Sequence, residues 1–156
     1  MARGRVYTMG FANVSVSLVQ DLLALYTGVK AIEIHEIVLG QITATVIGNL
    51  RVRLVYLPAT VTAGSGGSAG VINPSIATDT AATVTERTND TTQATTSGTA
   101  VALQPDVMNV LNGYQHLPFE EDRFIIGPNS GFIVSLDTAP SSAQTWNGTI
   151  KFAELF

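Results

Sequence analysis

Apolar and polar positions alternate with a period of two in several stretches of this chain, and that alternation predicts strands rather than helices. In "AIEIHEIVL", Ala31 to Leu39, Ile32 and Ile34 fall on one face and Glu33 and His35 on the other. After Glu36 the phase slips by one residue, because Ile37 and Leu39 now continue the apolar set. A β-bulge near His35 and Glu36 restores both sets to the same face. "LRVRLVYLP" alternates Leu50, Val52, Leu54 and Tyr56 against Arg51 and Arg53, and Pro58 stops it. Phe132 to Leu136 and Trp146 to Ala153 repeat the pattern, the latter with Trp146, Ile150 and Phe152. The predicted core set is Ile32, Ile34, Val52, Leu54, Ile133, Ile150 and Phe152.

Other stretches are ambiguous. "VSVSL" from Val14, followed by "DLLALYT", fits two close-set strands, or an amphipathic helix through Leu18, Leu22 and Leu25; the β-branched residues favour strands. "FIIGPNSGFIVSL" reads as two strands joined through a Gly-Pro-Asn turn. "QPDVMNVLNG" carries Pro near its start and Gly at its end, as a short helix would, and local pattern leaves it open. Several short strands with turn signals between them imply an all-β antiparallel sandwich, and a two-sheet jelly roll is the first choice.

From Thr60 to Ala100 the grammar changes. "TAGSGGSAG", Thr62 to Gly70, has the composition of a flexible linker, and the rest of the stretch is mostly Ser, Ala, Thr, Asn and Asp. Val71, Ile72, Ile76 and Val84 are scattered apolar points within it. The part of the chain after Ala100 is too short to hold a core comfortably alone. The expected organisation is therefore one sandwich domain over 14–156, with 60–100 a surface excursion that leaves it and returns, entered through a flexible hinge.

Composition narrows the function classes. The chain has 156 residues, 46% hydrophobic and 13% charged, with a formal net charge of -4. That length is one domain, and an acidic balance supplies no field for a nucleic-acid backbone. There is no cysteine, which excludes disulfides, thiolate nucleophiles and zinc-thiolate sites. The N-terminal stretch lacks a signal peptide's continuous apolar region, and no apolar run approaches the roughly 20 residues that cross a bilayer. The expectation is a protein made and used without export or membrane. A positive mean hydropathy with so few charges suggests that some apolar surface lies against another chain.

No motif argues for catalysis. Glu33, His35 and Glu36 resemble part of a metal or acid-base site, but His116 is the only other histidine and no H-x-x-x-H spacing occurs. The expected reading is an exposed sheet face with Arg51 or Arg53 opposite. "FEEDR", Phe119 to Arg123, lacks the Asp/Asn alternation and glycine of a calcium loop and reads as a solvated turn. "TAGSGGSAG" lacks the Gly-Lys-Ser/Thr ending of a phosphate loop, and no G-x-S-x-G elbow is present. "NVS", "NDT" and "NGT" match the glycosylation sequon by chance in a sequence rich in Asn and Thr. No cofactor is expected.

The order of segments carries a resemblance. "VSVSLVQDLLALYTGVKAIEIHEIVLGQ", an "RVRLV" strand, a Gly/Ser-rich excursion reaching "NDTTQATTSGTA", then "NVLNGYQHLPFEEDRFIIGPNSGFIVSLDTAPSSAQTWNGTIKFAEL" is similar to small jelly-roll head decoration, or cement, proteins of tailed bacteriophages. The likeness covers nearly the whole chain from about Val14, most specifically in "IHEI", "GYQHLP" and "NGTIKFAEL". Leu111, Asn112 and the threonine-rich excursion depart from it. The resemblance implies a capsid-surface protein, made in the bacterial host's cytoplasm and carried on the virion, that binds the major capsid protein and stabilises its contacts. It implies self-association, as a trimer first and a dimer second. It also implies that "QPDVMNVLNGYQHLP" is mainly extended and that 1–13 is an N-terminal arm free to reach a neighbour. The expected contact residues are Arg3 and Arg5 in the arm and Val71, Ile72, Ile76 and Val84 in the excursion. The alternative is another virion β-sandwich, such as a minor capsid, head-fibre or tail-associated component, including one that binds carbohydrate. A small-molecule binder or enzyme on a jelly roll is disfavoured by the two-histidine inventory.

Overall fold

The computed structural model describes residues 4–43 and 47–155. Within them the chain forms strands β1 (Arg5–Val16), β2 (Gln20–Tyr26), β3 (Ile32–Gln41), β4 (Asn49–Leu57), β5 (Val61–Thr62), β6 (Ile72–Pro74) and β7 (Thr85–Asp90). Next come β8 (Thr95–Thr96), β9 (Val101–Asn109), β10 (Tyr114–His116), β11 (Ile125–Ile126), β12 (Gly131–Leu136) and β13 (Gln144–Glu154). A single 3-10 turn, Glu120–Asp122, precedes β11.

The strand pairing obeys one rule. β1 pairs with β13, β2 with β12, β3 with β10 and β4 with β9, each antiparallel. The chain is thus a long ribbon doubled back on itself, first strand against last. Rolling the ribbon brings β13 against β3 and β12 against β4. Two sheets result, ordered β10-β3-β13-β1-β6 and β7-β2-β12-β4-β9. This is a jelly-roll-like sandwich with its core between the sheets.

Alternation places that core. Tyr7, Met9, Ile32, Ile34, Ile37, Val52, Leu54, Phe132, Val134, Trp146, Ile150 and Phe152 are all fully buried between the layers. The phase slip in "IEIHEI" is a bulge: Lys151 faces Glu36 and Phe152 faces Ile34, leaving His35 as the extra residue. Ile133 is buried too, but against Ala24, Val55 and Leu57 in a second cluster on the outer side of its sheet.

Several expectations change. The segment read as an N-terminal arm is, from Arg5 onward, an interior strand of its sheet, hydrogen-bonded between β13 and β6. Tyr7 and Met9 alternate inward there, and removing two such side chains from water outweighs any freedom of an arm. "QPDVMNVLNG", left open by local pattern and expected to be mainly extended, is extended through Asn109 as β9. Pro105 is tolerated because β9 is the edge of its sheet, where a ladder donor can be spared. β11 and β12 flank the Gly-Pro-Asn turn but do not pair; β11 joins β3 and β12 joins β2 and β4, so the turn carries the chain from one sheet to the other.

The excursion sits at the apex of the doubled ribbon, between β4 and β9. That position explains why it divides nothing: the two halves of the domain pair across it. It is also not a loose loop. Its β6 extends one sheet beyond β1, its β7 extends the other beyond β2, and Ser65 and Ser68 bridge to Thr92 and Thr88. Val61 and Ala94 pack on the outer cluster of Ala24, Val55, Leu57 and Ile133. The glycines belong to this packing. A Cβ on Gly67 would stand 2.1 Å from the Thr88 carbonyl oxygen, and one on Gly70 would stand 2.7 Å from the Met9 sulfur. Glycine is required there for close approach, not for flexibility.

Candidate interaction surface

The residues singled out from sequence separate into two groups. Arg3 lies outside the described residues. Arg5 donates to the Thr80 hydroxyl and stands 3.8 Å from the Asp79 carboxylate, while the Tyr7 hydroxyl donates to the Thr80 carbonyl at 2.9 Å. The arginine therefore meets an excursion residue of its own chain. Ile72 is half-buried opposite Met9, and Val84, 4% exposed, belongs to the core. Both have partners within the chain, contrary to the reading of them as points without one. Val71 and Ile76 do project into solvent.

Two acids of the sandwich hold the excursion in place, and a third, Asp90 on the excursion's own β7, braces it from within. Asp21 (2% exposed), Asp90 (1%) and Glu154 (4%) are the buried charged residues of the described chain, and each grips an excursion amide. Asp21 on β2 accepts from the Ala94 N–H at 2.7 Å and from the Gln93 side chain at 3.2 Å. Asp90 accepts from the Gly67 N–H at 3.0 Å and takes both arms of the Arg87 guanidinium at 2.7 Å. Glu154, at the end of β13, accepts from the Thr83 N–H at 2.7 Å and hydroxyl at 2.5 Å, with the Lys30 ammonium at 3.3 Å. A segment with few apolar side chains cannot be held by burial alone. Charge-assisted hydrogen bonds to its backbone are the stronger kind, and here they add to the β6 and β7 ladders and to buried Val84.

Their electrostatics differ. Burial pushes Asp21 up to about 6, reinforced by the Asp90 charge and only partly offset by bonds from Ala94, Gln93 and Ser135. At Glu154 burial also acts upward, but the Thr83 hydroxyl and amide and Lys30 outweigh it and hold the group below the usual glutamate value. Sequence reasoning did not find these acids. The available signal was a lone acid inside an apolar strand, in "QDLLALY" and "KFAEL", in a chain with a long polar segment that needed anchors.

The acids that sequence did single out are ordinary surface chemistry. Glu33 lies 3.0 Å from His35 and 2.9 Å from Arg123, and Lys151 lies 3.3 Å from Glu36. Arg51 and Arg53 are on the other sheet, Arg53 paired with Asp137, so the expected charges do not face one another. Partial burial and the Arg123 charge lower the His35 pKa. The acids of "FEEDR" are exposed on the 3-10 turn, and its arginine is the one recruited to Glu33. Among the described residues no group of three or more His, Asp or Glu side chains could hold a metal ion, and no helix is long and apolar enough to cross a membrane.

Exposed apolar side chains are spread around the molecule, Leu18, Val29, Ile47, Val71 and Ile76 among them, and one further set lies on the side of the sandwich formed by β9 to β11. β9 and β10 are edge strands of the two sheets, joined directly by the tight turn at Asn109 to Gly113. The segment forming this side exposes Val101, Val107, Leu111, Leu117, Phe119 and Ile125, with Phe119 at 81%. On the opposite side an open cleft of about 430 Å³ runs between β1 and the glycine-rich run, lined by Phe11, Val14, Gln20, Ser68, Asn89 and Thr91. No family model, curated protein or solved structure matches the chain.

Proposed function

We propose that this chain is a capsid decoration, or cement, protein that binds the outer surface of a phage head and stabilises contacts between major capsid subunits, without catalysis. The observation that carries the reading is the exposed apolar side from Val101 to Ile125. Apolar side chains grouped this way favour contact with another protein surface. Shells are held by many modest contacts repeated over many copies, and a jelly roll with its excursion anchored offers a stiff body for that task. The resemblance in segment order supports the same role. Self-association as a trimer would suit a site on a local symmetry axis.

The test is co-sedimentation of the purified chain with undecorated heads of its phage, followed by thermal disruption of the shells. Saturable binding and a raised disruption temperature are expected, and Phe119→Asp should weaken binding at least tenfold while leaving the fold intact. Heads that neither bind the chain nor gain stability would sink the proposal. Equal binding by the Phe119→Asp protein would move the contact elsewhere on the surface.

A second reading, a virion β-sandwich that binds carbohydrate, is favoured by the cleft between β1 and the glycine-rich run. Phe11 and the amides of Gln20 and Asn89, which hydrogen-bond each other at 3.2 Å, are among its lining and offer a neutral sugar an aromatic ring and polar groups. Screening against a glycan array separates the two readings. Binding that disappears on Gln20→Ala would favour the second, and no bound glycan would remove it.

A further inference from the structure

We propose that the cleft between β1 and the glycine-rich run is a strand-binding groove, in which an uncharged extended segment of the major capsid subunit pairs with a bare edge of β1; the source of that segment rests on the proposed decoration role. The two ladders of β1 are unequal in length. β13 pairs with it from Arg5 to Val16, whereas β6 pairs only from Tyr7 to Met9. Ahead of Ile72 the excursion lies along the other sheet instead, where Ser68 and Thr88 exchange main-chain hydrogen bonds at 2.9 and 2.8 Å. Among the described residues nothing takes its place, so Gly10 to Val16, about 20 Å of strand, have no ladder on that side.

The unpaired groups of this edge point into the cleft. Alternate residues of an antiparallel strand turn their N–H and C=O to the same side. The Val6 carbonyl accepts from the Ser75 N–H at 2.8 Å on the β6 side, so Gly10 and Ala12, which both line the cleft, turn theirs that way too. A bulge follows Ala12, and the left-handed Asn13 within it is tied to β13, its N–H donating to Asn147 Oδ1 at 2.8 Å. Across the cleft stands Asn89, 7% exposed, whose Oδ1 accepts from Gln20 and whose Nδ2 is buried without a partner. An unpaired buried donor is costly, and a carbonyl entering the cleft would relieve it.

Other edges of the sandwich are blunted. β9 carries Pro105, and the Asp106 carboxylate takes the Val107 N–H at 2.8 Å; β6 and β10 are three residues each. The bare edge of β1 is recessed instead, with Gly66, Gly67 and Gly70 along the facing wall. A folded sheet edge would drive its neighbouring strand into that wall, whereas a single extended segment fits beside it. Its ladder bonds supply affinity, and small side chains suit the glycine wall. None of the residues lining the cleft is charged, which selects an uncharged segment.

Overlapping synthetic peptides covering the major capsid subunit, titrated into the full chain, test this. At least one is expected to bind and to slow hydrogen exchange of the Gly10 and Ala12 amides roughly tenfold or more, with the Tyr7 and Met9 amides, already turned to β13, unchanged. N-methylation at successive peptide residues should weaken binding with a period of two, roughly tenfold where a ladder N–H is lost and little at the alternate positions. Ala12→Pro removes an N–H on the cleft side alone and should weaken the same peptide; if that variant fails to fold, the N-methyl series still decides. No bound peptide, N-methylation tolerated at every position, Gly10 and Ala12 amides that exchange as fast with peptide as without, or a glycan held in the cleft would overturn the proposal. A chain that decorates heads but holds no capsid peptide keeps the decoration role and loses the strand. A peptide bound with the period of two by a chain that does not decorate heads keeps the strand and loses that role.

Discussion

Asp21 is a carboxylate kept nearly out of water near the start of β2, just before an apolar run, and its charge has a measurable consequence. Its pKa is about 6 in the folded chain against 3.8 ordinarily, so the folded state binds the proton more tightly than the unfolded state. Stability contributed by this group is present at low pH and falls as pH rises from about 4 to about 6, by an upper bound of about 3 kcal/mol. Asp21→Asn keeps an oxygen for the Ala94 N–H and removes the charge. Urea denaturation at pH 7 should show the variant more stable by roughly 1 to 3 kcal/mol, with the gain vanishing near pH 4; an unchanged or lowered stability at pH 7 would contradict it. Gly67 carries an opposite kind of constraint. Gly67→Ala drives a methyl into the Thr88 carbonyl, and a loss of roughly 1 to 3 kcal/mol is expected by the same measurement.

At the scale of elements, the strands divide by what covers them. β3 and β13 bury one face and show charged side chains on the other, which is why their alternation is easy to read. β12 is buried on both faces because the excursion lies over it, and β2 nearly so. Leu54, on β4, points into the space between the sheets, and Leu54→Ala should cost roughly 2 to 5 kcal/mol in a chemical denaturation series. The excursion is the segment whose removal tells most. Replacing 62–99 by a short turn takes away β6 and β7, leaves Asp21 and Glu154 without their amides, and bares the outer cluster. The expected product is a destabilised, aggregation-prone sandwich with higher dye binding. A shortened chain that is monodisperse and melts like the intact one would show that the excursion is dispensable to the fold.

At the scale of the whole molecule, the two sides of the sandwich are unlike. One is closed by the excursion's own edge strands, β6 and β7, and carries the cleft. The other ends in β9, β10 and β11 with exposed Val101, Val107, Leu117, Phe119 and Ile125. If that side mediates assembly, sedimentation equilibrium should find a trimer at micromolar concentration, and Leu117→Asp should shift it toward monomer. A wild-type monomer at high micromolar concentration would restrict association to the capsid surface.

The sequence by itself determined every interaction that repeats locally. Alternation placed β3, β4, β12 and β13 to within about two residues, identified the core faces of β3, β4 and β13, chose Ile133 on β12 where Phe132 and Val134 fill the space between the sheets, and marked the bulge at His35, because a period-two pattern cannot slip without an extra residue. It also indicated where the chain leaves the ribbon and returns. The tertiary structure alone decided what that departure does. Glycine, serine and threonine look the same whether a segment is loose or pressed against a neighbouring backbone, since the difference lies in contacts made by main-chain atoms. Gly67 against Thr88, and Thr83 on Glu154, are contacts across distant parts of the chain with no periodic trace. The arm that became β1 was missed for a related reason: a strand with Thr, Gly and Asn among its apolar residues becomes interior only when β13, more than a hundred residues away, supplies the partner ladder.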